Sequence, residues 1–180
     1  MEGPASNLTG QSPARHLHAP RLMSASHAPE PPDAGADWRS RLVTDSAGIR
    51  RLLESTHRIA VLGMKPEDSF APAWFVPEYA RHAGYEIVPV PVYYPELTEM
   101  MGAQVYRRIA EIPGDVDMVN VFRRAQSIPA HVDDIIAKKP KSVWFQLGIR
   151  NDEAAEQLAR AGILVVQDHC LKIEIARIGR

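Results

Sequence analysis

The sequence predicts an α/β fold: a mostly parallel, five-stranded sheet with helices packed on its faces. Five short apolar runs rich in β-branched residues have the composition of buried strands, and they lie at residues 58–63, 85–90, 115–122, 142–146 and 163–166. Helical segments with recognisable start and stop residues alternate with these runs. Strands and helices that alternate at this spacing are typical of right-handed βαβ units, so we expect the strands to run parallel.

The composition is that of an ordinary soluble protein and excludes several classes of function. The chain has 180 residues, an apolar fraction of 45% and a formal net charge of −1, so no broad basic face is expected for nucleic acid. No apolar stretch reaches the roughly 18 residues that a membrane span needs. The single cysteine, Cys170, excludes an internal disulfide and favours the cytoplasm. The chain has no CxxC or HExxH motif, so we predict no metal site.

The first 36 residues are predicted to be a disordered, proline-rich tail, with the folded domain spanning residues 37–180. Ser, Ala, Gly and His surround the prolines of the tail without apolar periodicity. No apolar core of a secretory signal is present, although the scarcity of acidic residues leaves an organelle transit peptide as an alternative. Translation could start at Met1 or at Met23.

The helices are predicted from apolar periodicity and from their flanking residues. They span residues 46–53, 72–82, 128–138, 153–160 and 171–178. Asp45 and Ser46 can cap the first helix, and either Asn151 or Asp152 can cap the fourth. Pro77 lies within the second helix, where a proline can kink or shorten it. Between the second and third strands, a short extended piece at 105–106 is expected, followed by a helical turn.

The third predicted strand ends in the residues that suggest a ligand. Phe122, Arg123 and Arg124 follow the apolar run directly. In an open parallel sheet, ligands bind beyond the carboxyl ends of the strands. Two guanidinium groups suit phosphate and an aromatic ring can pack on a base, so this stretch suggests a nucleotide-like ligand. The alternative is an ordinary pair of surface arginines after a strand.

The other strand ends should meet at the same edge of the sheet. They are Gly63 to Lys65, Pro89–Val90, Gln146 to Gly148 and Asp168 to Cys170. The helix after the first strand offers free N–H groups for phosphate. However, neither a GxGxxG motif nor a GK[ST] motif is present, which disfavours a dinucleotide held by a glycine-rich loop. Gln146 either binds the ligand or caps the next loop.

No convincing catalytic group emerges from the sequence. Asp168, His169 and Cys170 are consecutive, but adjacent residues rarely face one another and a lone cysteine is usually a small apolar residue. Asp133 and Asp134 lie on the polar face of a helix. We therefore predict a non-enzymatic protein, with a role for Cys170 or His169 in catalysis as the alternative.

Five stretches together resemble a known family. They are Ile59 to Gly63, Gly84 to Val90, Val116 to Arg124, Trp144 to Ile149 and Asp168 to Glu174. In order and spacing they resemble the small CoA-binding proteins. These are stand-alone Rossmann-like domains, similar to the amino-terminal domain of the succinyl-CoA synthetase α subunit. The resemblance covers about residues 45–178 and implies a Rossmann-like, three-layer fold.

The resemblance also implies where coenzyme A would lie. Gly63, Met64 and Lys65, with the loop up to Ala73, would take the pyrophosphate. Pro89, Val90 and the following loop would border the nucleotide. Phe122, Arg123 and Arg124 would flank adenine and the ribose phosphate, and Gln146 and Gly148 would face the pantetheine arm.

Two stretches depart from the usual family pattern. Many members have serine and tyrosine where this chain has Ala73 and Trp74, and an asparagine where it has Pro91. An asparagine contact with the ligand is therefore absent.

The function expected from these features is non-catalytic binding of coenzyme A or an acyl-CoA in the cytoplasm. The alternative is a small enzyme, either an acyl-CoA-dependent transferase or an oxidoreductase with a nucleotide cofactor. The expected partners are a second copy of the chain or a larger synthetase.

Overall fold

The computed structural model describes residues 37–180, and the predicted tail at residues 1–36 lies outside this part. Five strands form the main sheet: β1 (Arg58–Leu62), β2 (Glu86–Val90), β5 (Met118–Val121), β6 (Ser142–Phe145) and β7 (Leu164–Val166). A separate hairpin contains β3 (Glu99–Met100) and β4 (Ala103–Gln104). The helices are α1 (Ser46–Glu54), α2 (Pro72–His82), α3 (Pro129–Lys138), α4 (Asp152–Arg160) and α5 (Leu171–Arg177).

All neighbouring strands of the main sheet run parallel, which confirms the predicted α/β fold. The strand order is β2-β1-β5-β6-β7. The chain moves outward from β1 to β2, crosses back to β5 on the other side of β1, and then continues outward to β7. The reversal between β1 and β5 is a topological switch point, where open α/β sheets form a crevice.

Helices cover both faces of the sheet and complete three layers. Val119 and Val121 point to one face, where they join the apolar residues of α3 and α4. Met118 points to the opposite face and joins residues of α1, α2 and α5. Because side chains of a strand alternate between faces, each buried parallel strand contributes to both cores.

Local capping explains where several helices begin. The carboxylate of Asp45 accepts the N–H of Gly48 at 2.8 Å, as predicted for α1. The side chain of Asn151 accepts the N–H of Ala154 at 2.9 Å, so Asn151 and not Asp152 caps α4.

Pro77 lies within α2, which nevertheless continues from Pro72 to His82. Proline has no N–H, so the carbonyl of Ala73, four residues earlier, receives no helical hydrogen bond from it. The N–H of Lys65 donates to this carbonyl at 3.3 Å. Because of the proline, the Ala73 carbonyl in the first turn of α2 is available to accept this bond, which holds the preceding loop against the helix.

The segment between β2 and β5 differs from the sequence prediction. The extended piece expected at 105–106 lies two residues earlier, at 103–104, as the second strand of the β3–β4 hairpin. Met101 and Gly102 both have positive φ at its turn, with values of 54° and 76°. Strands of two residues are too short to show periodicity, and methionine gives no turn signal at a positive-φ position.

Asp117 connects three strands at the edge of the sheet where the strands begin, opposite the edge that holds their carboxyl ends. Its carboxylate accepts the N–H groups of His57 and Arg58, both at 2.9 Å, and forms an ion pair with Lys141 at 2.7 Å. Burial raises the pKa of Asp117, but these hydrogen bonds outweigh it and hold the pKa below the ordinary value. No helix among residues 37–180 is long and apolar enough to cross a membrane.

Candidate functional site

A groove of about 760 Å³ lies over the carboxyl ends of the strands. Seven of the residues predicted to bind the ligand line it: Lys65, Ala73, Phe122, Arg123, Arg124, Gln146 and Gly148. They come from the loops after β1, β5 and β6 and from the start of α2. The structure therefore brings together side chains that lie more than 80 residues apart in the sequence.

Four other predicted residues do not line the groove. Met64, Pro89 and Val90 are buried, and Met64 packs in the core formed with α1, α2 and α5. The carbonyl of Val90 accepts the N–H of Gly63 at 2.8 Å. The structure thus places these residues beneath the strand ends, and their contact with a ligand stays a prediction.

Gly63 allows the ends of β1 and β5 to come together. Its φ is +86°, and a Cβ atom at this position would lie 2.6 Å from the carbonyl oxygen of Phe122 and 3.0 Å from Cδ of Arg123. Any larger residue would push these two strand ends apart. The glycine therefore controls the spacing of the loops that hold Lys65 and Arg123.

Three cationic side chains surround Tyr93, in the loop after β2. A hydrogen bond from Arg123 contributes most to lowering the pKa of the Tyr93 hydroxyl, and the charges of Arg123, Arg124 and Lys65 lower it further. The Arg123 guanidinium also lies 5.4 Å from the centre of the Tyr93 ring. None of the three cations forms a salt bridge within residues 37–180. This end of the groove is therefore electropositive and suited to an anion.

Arg123 has a donor that no protein group satisfies. Its Nε atom is buried and has no hydrogen-bond partner in the described part of the chain. The Arg123 charge also acts on a neighbour in α3: burial lowers the pKa of His131, and the nearby Arg123 guanidinium lowers this pKa further. Buried donors usually have partners, so an acceptor from a ligand or a water molecule suits this position.

The start of α2 adds to the same end of the groove. No side chain caps the helix, and the N–H groups of Trp74 and Phe75 donate to the Ala71 carbonyl at 2.8 and 3.2 Å. Because Pro72 has no N–H, the Ala73 N–H is the donor of this first turn without a backbone acceptor in the described part of the chain. The bond from Lys65 N–H to Ala73 fixes the loop against this turn. The helix dipole favours a negative group here, in addition to the three cations.

The side chains that line the opposite end of the groove, over β6 and β7, are uncharged and mostly apolar. Leu147, Ile149 and Cys170 line it together with Gln146 and Gly148. Leu147 is 64% exposed, so it presents an apolar surface to the groove. The N–H of Gly148 donates to Asp168 at 2.6 Å, which fixes the loop after β6.

Gln146 belongs to a buried chain of amide hydrogen bonds. Its Nε2 donates to Oδ1 of Asn120 at 2.7 Å, and its Oε1 accepts the N–H of Leu171, the first residue of α5, at 3.3 Å. The sequence left open whether Gln146 binds a ligand or caps a loop. The structure shows that its carbonyl oxygen holds the start of α5 while the residue still lines the groove.

The candidate catalytic residues do not form a pair. The ring Nδ1 of His169 lies 2.8 Å from the carbonyl of Gln167, and the His169 carbonyl accepts Trp144 Nε1 at 2.8 Å. Within the described residues, no hydrogen bond joins the His169 ring to the thiol of Cys170. No cluster of three or more His, Cys, Asp or Glu side chains in residues 37–180 could hold a metal ion.

Sequence reasoning missed several residues of the groove. Phe75 and Leu147, which line the groove, were expected only as parts of a helix and a loop. Tyr93, which lies beside the cations of the groove, was not singled out. Asn120 carried a usable signal, because it is the one polar residue in the run Met118 to Val121.

A family model described as a CoA binding domain matches residues 57–176, which include every residue that lines the groove. The chain belongs to the CoA-binding domain family. Membership confirms the resemblance seen in the sequence, and the Rossmann-like fold agrees with it.

Relatives of known sequence or structure support the family assignment. An uncharacterized protein of Bacillus subtilis, YneT, is 33% identical over 127 residues, which cover 71% of this chain and 91% of the relative. A structure from Thermus thermophilus, described as cell-free ID.343, is 34% identical with a TM-score of 0.69, covering 75% of this chain and 99% of that one.

A larger enzyme contains a domain of the same fold. The acetyl-coenzyme A synthetase 1 of Candidatus Korarchaeum cryptofilum, solved with phosphate and ADP, aligns with a TM-score of 0.54 at 19% identity. The alignment covers 65% of this chain and 26% of the synthetase. At this identity the likeness shows that members of the CoA-binding domain family share a fold with a synthetase domain, and no more.

Proposed function

We propose that this protein binds coenzyme A or an acyl-CoA in the groove and performs no chemistry on it. The observation that carries the proposal is the division of the groove into a cationic end and an uncharged end. Coenzyme A has the same division, because its phosphates lie on the nucleotide and its pantetheine arm is neutral. Membership of the CoA-binding domain family supports the same ligand.

The cationic end would hold the nucleotide phosphates. Lys65, Arg123 and Arg124 have no carboxylate partner in the described part of the chain, so a phosphate could bind without breaking an existing ion pair. Arg123 could use its unsatisfied Nε, and the uncapped start of α2 would add the Ala73 N–H as a donor. The neutral arm would then extend toward Gln146 and Gly148.

Calorimetric titration with coenzyme A and with acetyl-CoA tests the proposal directly. We expect the Arg123→Ala and Arg124→Ala double variant to lose at least about tenfold in affinity, because charge-assisted contacts to phosphate are lost. Arg81→Ala is the matched control, since Arg81 is exposed in the last turn of α2, at the far end from the groove. Absence of binding to the wild-type protein at millimolar coenzyme A would rule out the proposal.

The position of Cys170 favours one alternative, an enzyme that acts on an acyl-CoA. Cys170 is half-buried, lines the uncharged end of the groove and precedes α5. A thiol there could accept an acyl group from the thioester, with the CoA thiol as leaving group. Mass spectrometry after incubation with acetyl-CoA would detect the acylated cysteine. An unchanged mass would exclude this alternative and leave the binding function.

If the protein only binds coenzyme A, a partner protein would have to respond to that binding. The candidate partners are a second copy of the chain and a larger synthetase subunit. Affinity capture from the host with and without coenzyme A would separate the two, because self-association returns the same chain and a synthetase returns a larger protein.

A further inference from the structure

Asn120 is a polar side chain in the centre of an apolar sheet. It is fully buried in β5, between Val61 of β1 and Trp144 of β6. Its Oδ1 accepts a hydrogen bond from Gln146, whereas its Nδ2 is buried without a partner. A buried donor without a partner reduces stability, so an apolar residue would suit the sheet alone better. The amide therefore needs an explanation beyond the fold.

The direction of the amide chain is set by the backbone of α5. The N–H of Leu171 can only donate, so it requires the carbonyl oxygen Oε1 of Gln146. This leaves Nε2 of Gln146 facing Asn120, which must then present its own carbonyl oxygen. Rotating either amide by half a turn would place two donors or two acceptors against each other.

The N–H of Leu171 thus fixes which end of the Gln146 amide faces Asn120. We propose that Asn120 is a positioning residue: by accepting one Nε2 hydrogen it holds this amide so that the other hydrogen is presented to the groove, which selects ligands with a carbonyl at this point. The Nε2 group has two hydrogens, and only one is needed by Asn120. The carbonyl oxygen of Gln146 is already engaged by Leu171. The inference rests on the proposed CoA function, in which an amide or thioester carbonyl of the neutral arm is the acceptor.

An amide is the side chain that this task requires. Aspartate at 120 would also offer an acceptor to Gln146, but it would bury a charge in the sheet. Leucine would fill a similar volume but leave the Gln146 amide without its acceptor. Asparagine supplies a neutral carbonyl oxygen that accepts from Gln146, and its Nδ2 group, which this task does not need, is left without a partner.

The test compares two ligands: coenzyme A, and its nucleotide fragment, an adenosine bisphosphate that lacks the pantetheine arm. We expect Asn120→Leu to weaken coenzyme A binding by about tenfold while the fragment changes by less than about twofold. Asn120→Asp keeps an acceptor for Gln146, so it should retain the wild-type ratio of the two affinities. Melting temperatures measured for each variant report the structural cost separately.

A second variant reverses the polarity of the groove and retains the buried bonds. In Gln146→Glu, the carboxylate can accept from Leu171 and, after rotation of the amide, from Nδ2 of Asn120, but the groove loses its donor. Gln126→Glu adds the same charge at an exposed position of the groove. Gln126→Glu should weaken both ligands equally, whereas Gln146→Glu should weaken coenzyme A by about a further tenfold.

The outcomes separate the two proposals. Equal losses for both ligands in Asn120→Leu and Gln146→Glu would overturn the positioning role and leave CoA binding intact. If Asn120→Leu does not fold, the ratio measured in Gln146→Glu decides. Failure of the wild-type protein to bind coenzyme A would overturn the proposed function and this inference with it.

Discussion

Gly63 shows how a single hydrogen atom in place of a side chain shapes the groove. We expect Gly63→Ala to lower the free energy of unfolding by about 2 to 4 kcal/mol, because positive φ disfavours alanine and its Cβ would overlap the Phe122 carbonyl. Gly84→Ala is the control: Gly84 has a φ of +93° with no atom within 4 Å of its Cβ position. It should lose only about 1 kcal/mol.

Denaturant unfolding of both variants measures the difference. Equal losses in Gly63→Ala and Gly84→Ala would show that backbone conformation, and not the contact with Phe122, accounts for the glycine. Coenzyme A titration of the folded Gly63→Ala protein then reports whether the spacing between β1 and β5 matters for the ligand.

Tyr93 gives the cationic end a predicted pH dependence. The hydrogen bond from Arg123 and the neighbouring cations hold the pKa of Tyr93 below its ordinary value, so its anion forms at lower pH than in a free tyrosine. The anion would compete with phosphate for Arg123. We therefore expect the coenzyme A affinity of the wild type to fall as the pH rises, and to do so at a lower pH than the ionisation of an ordinary tyrosine would cause.

Tyr93→Phe removes the ionisable hydroxyl and retains the ring, so the part of this fall that Tyr93 causes should disappear. Titrations across the pH series in both proteins measure it, with the ionisation of coenzyme A common to both. Identical pH profiles would show that Tyr93 does not compete with the ligand.

At the level of elements, Asp117 joins β1, β5 and the residue before β6. Because its pKa is lowered in the folded protein, it stabilises the fold above the unfolded pKa of about 4, and this contribution is lost as the pH falls through the folded pKa. We expect Asp117→Ala to lose about 2 kcal/mol at neutral pH, since two backbone N–H groups lose their acceptor.

The difference between wild type and Asp117→Ala should shrink as the pH is lowered below about 4. Urea unfolding at several pH values measures this. Asp115→Ala is the control, because Asp115 is an exposed carboxylate in the same segment. A constant difference at all pH values would mean that the ionised form of Asp117 is not what stabilises the sheet.

The elements that the sequence predicted well are those with a repeating signal. The strands carry β-branched runs and the helices carry caps such as Asp45, so their bounds agree within one or two residues, except that β5 begins three residues later than predicted, at Met118. The β3–β4 hairpin was missed because two-residue strands have no period. The carboxyl edge of the sheet follows from the parallel topology, which is why the groove residues at three strand ends could be predicted.

Contacts that depend on the third dimension could not be predicted. Nothing in the sequence indicates that Tyr93 meets Arg123, because the two residues are 30 positions apart and lie after different strands. The orientation of Gln146 depends on Leu171, 25 residues later. Met64 and Val90, which the family resemblance places near the ligand, are buried, because side chains at a strand end alternate between exposed and core-facing positions. Their contact with a ligand stays a prediction.

For the whole molecule, binding to the folded state should appear as added stability. At coenzyme A concentrations of about 100 times the dissociation constant, the free energy of unfolding should rise by about 2.7 kcal/mol. The slope of stability against urea concentration should stay constant, because the groove lies within one folded unit. Urea titrations with and without coenzyme A measure both quantities, and a changed slope would point to ordering of further residues on binding.

The position of the switch point has a consequence for how the chain could be divided. One wall of the groove comes from residues 65–76 and the other from residues 122–170, and between β2 and β5 the chain connects them through residues 91–117. A ligand across both walls would act as a non-covalent bridge between two halves of one polypeptide. If that connection were cut, binding would become a three-component assembly, and the apparent affinity for the ligand would depend on the concentration of the two fragments.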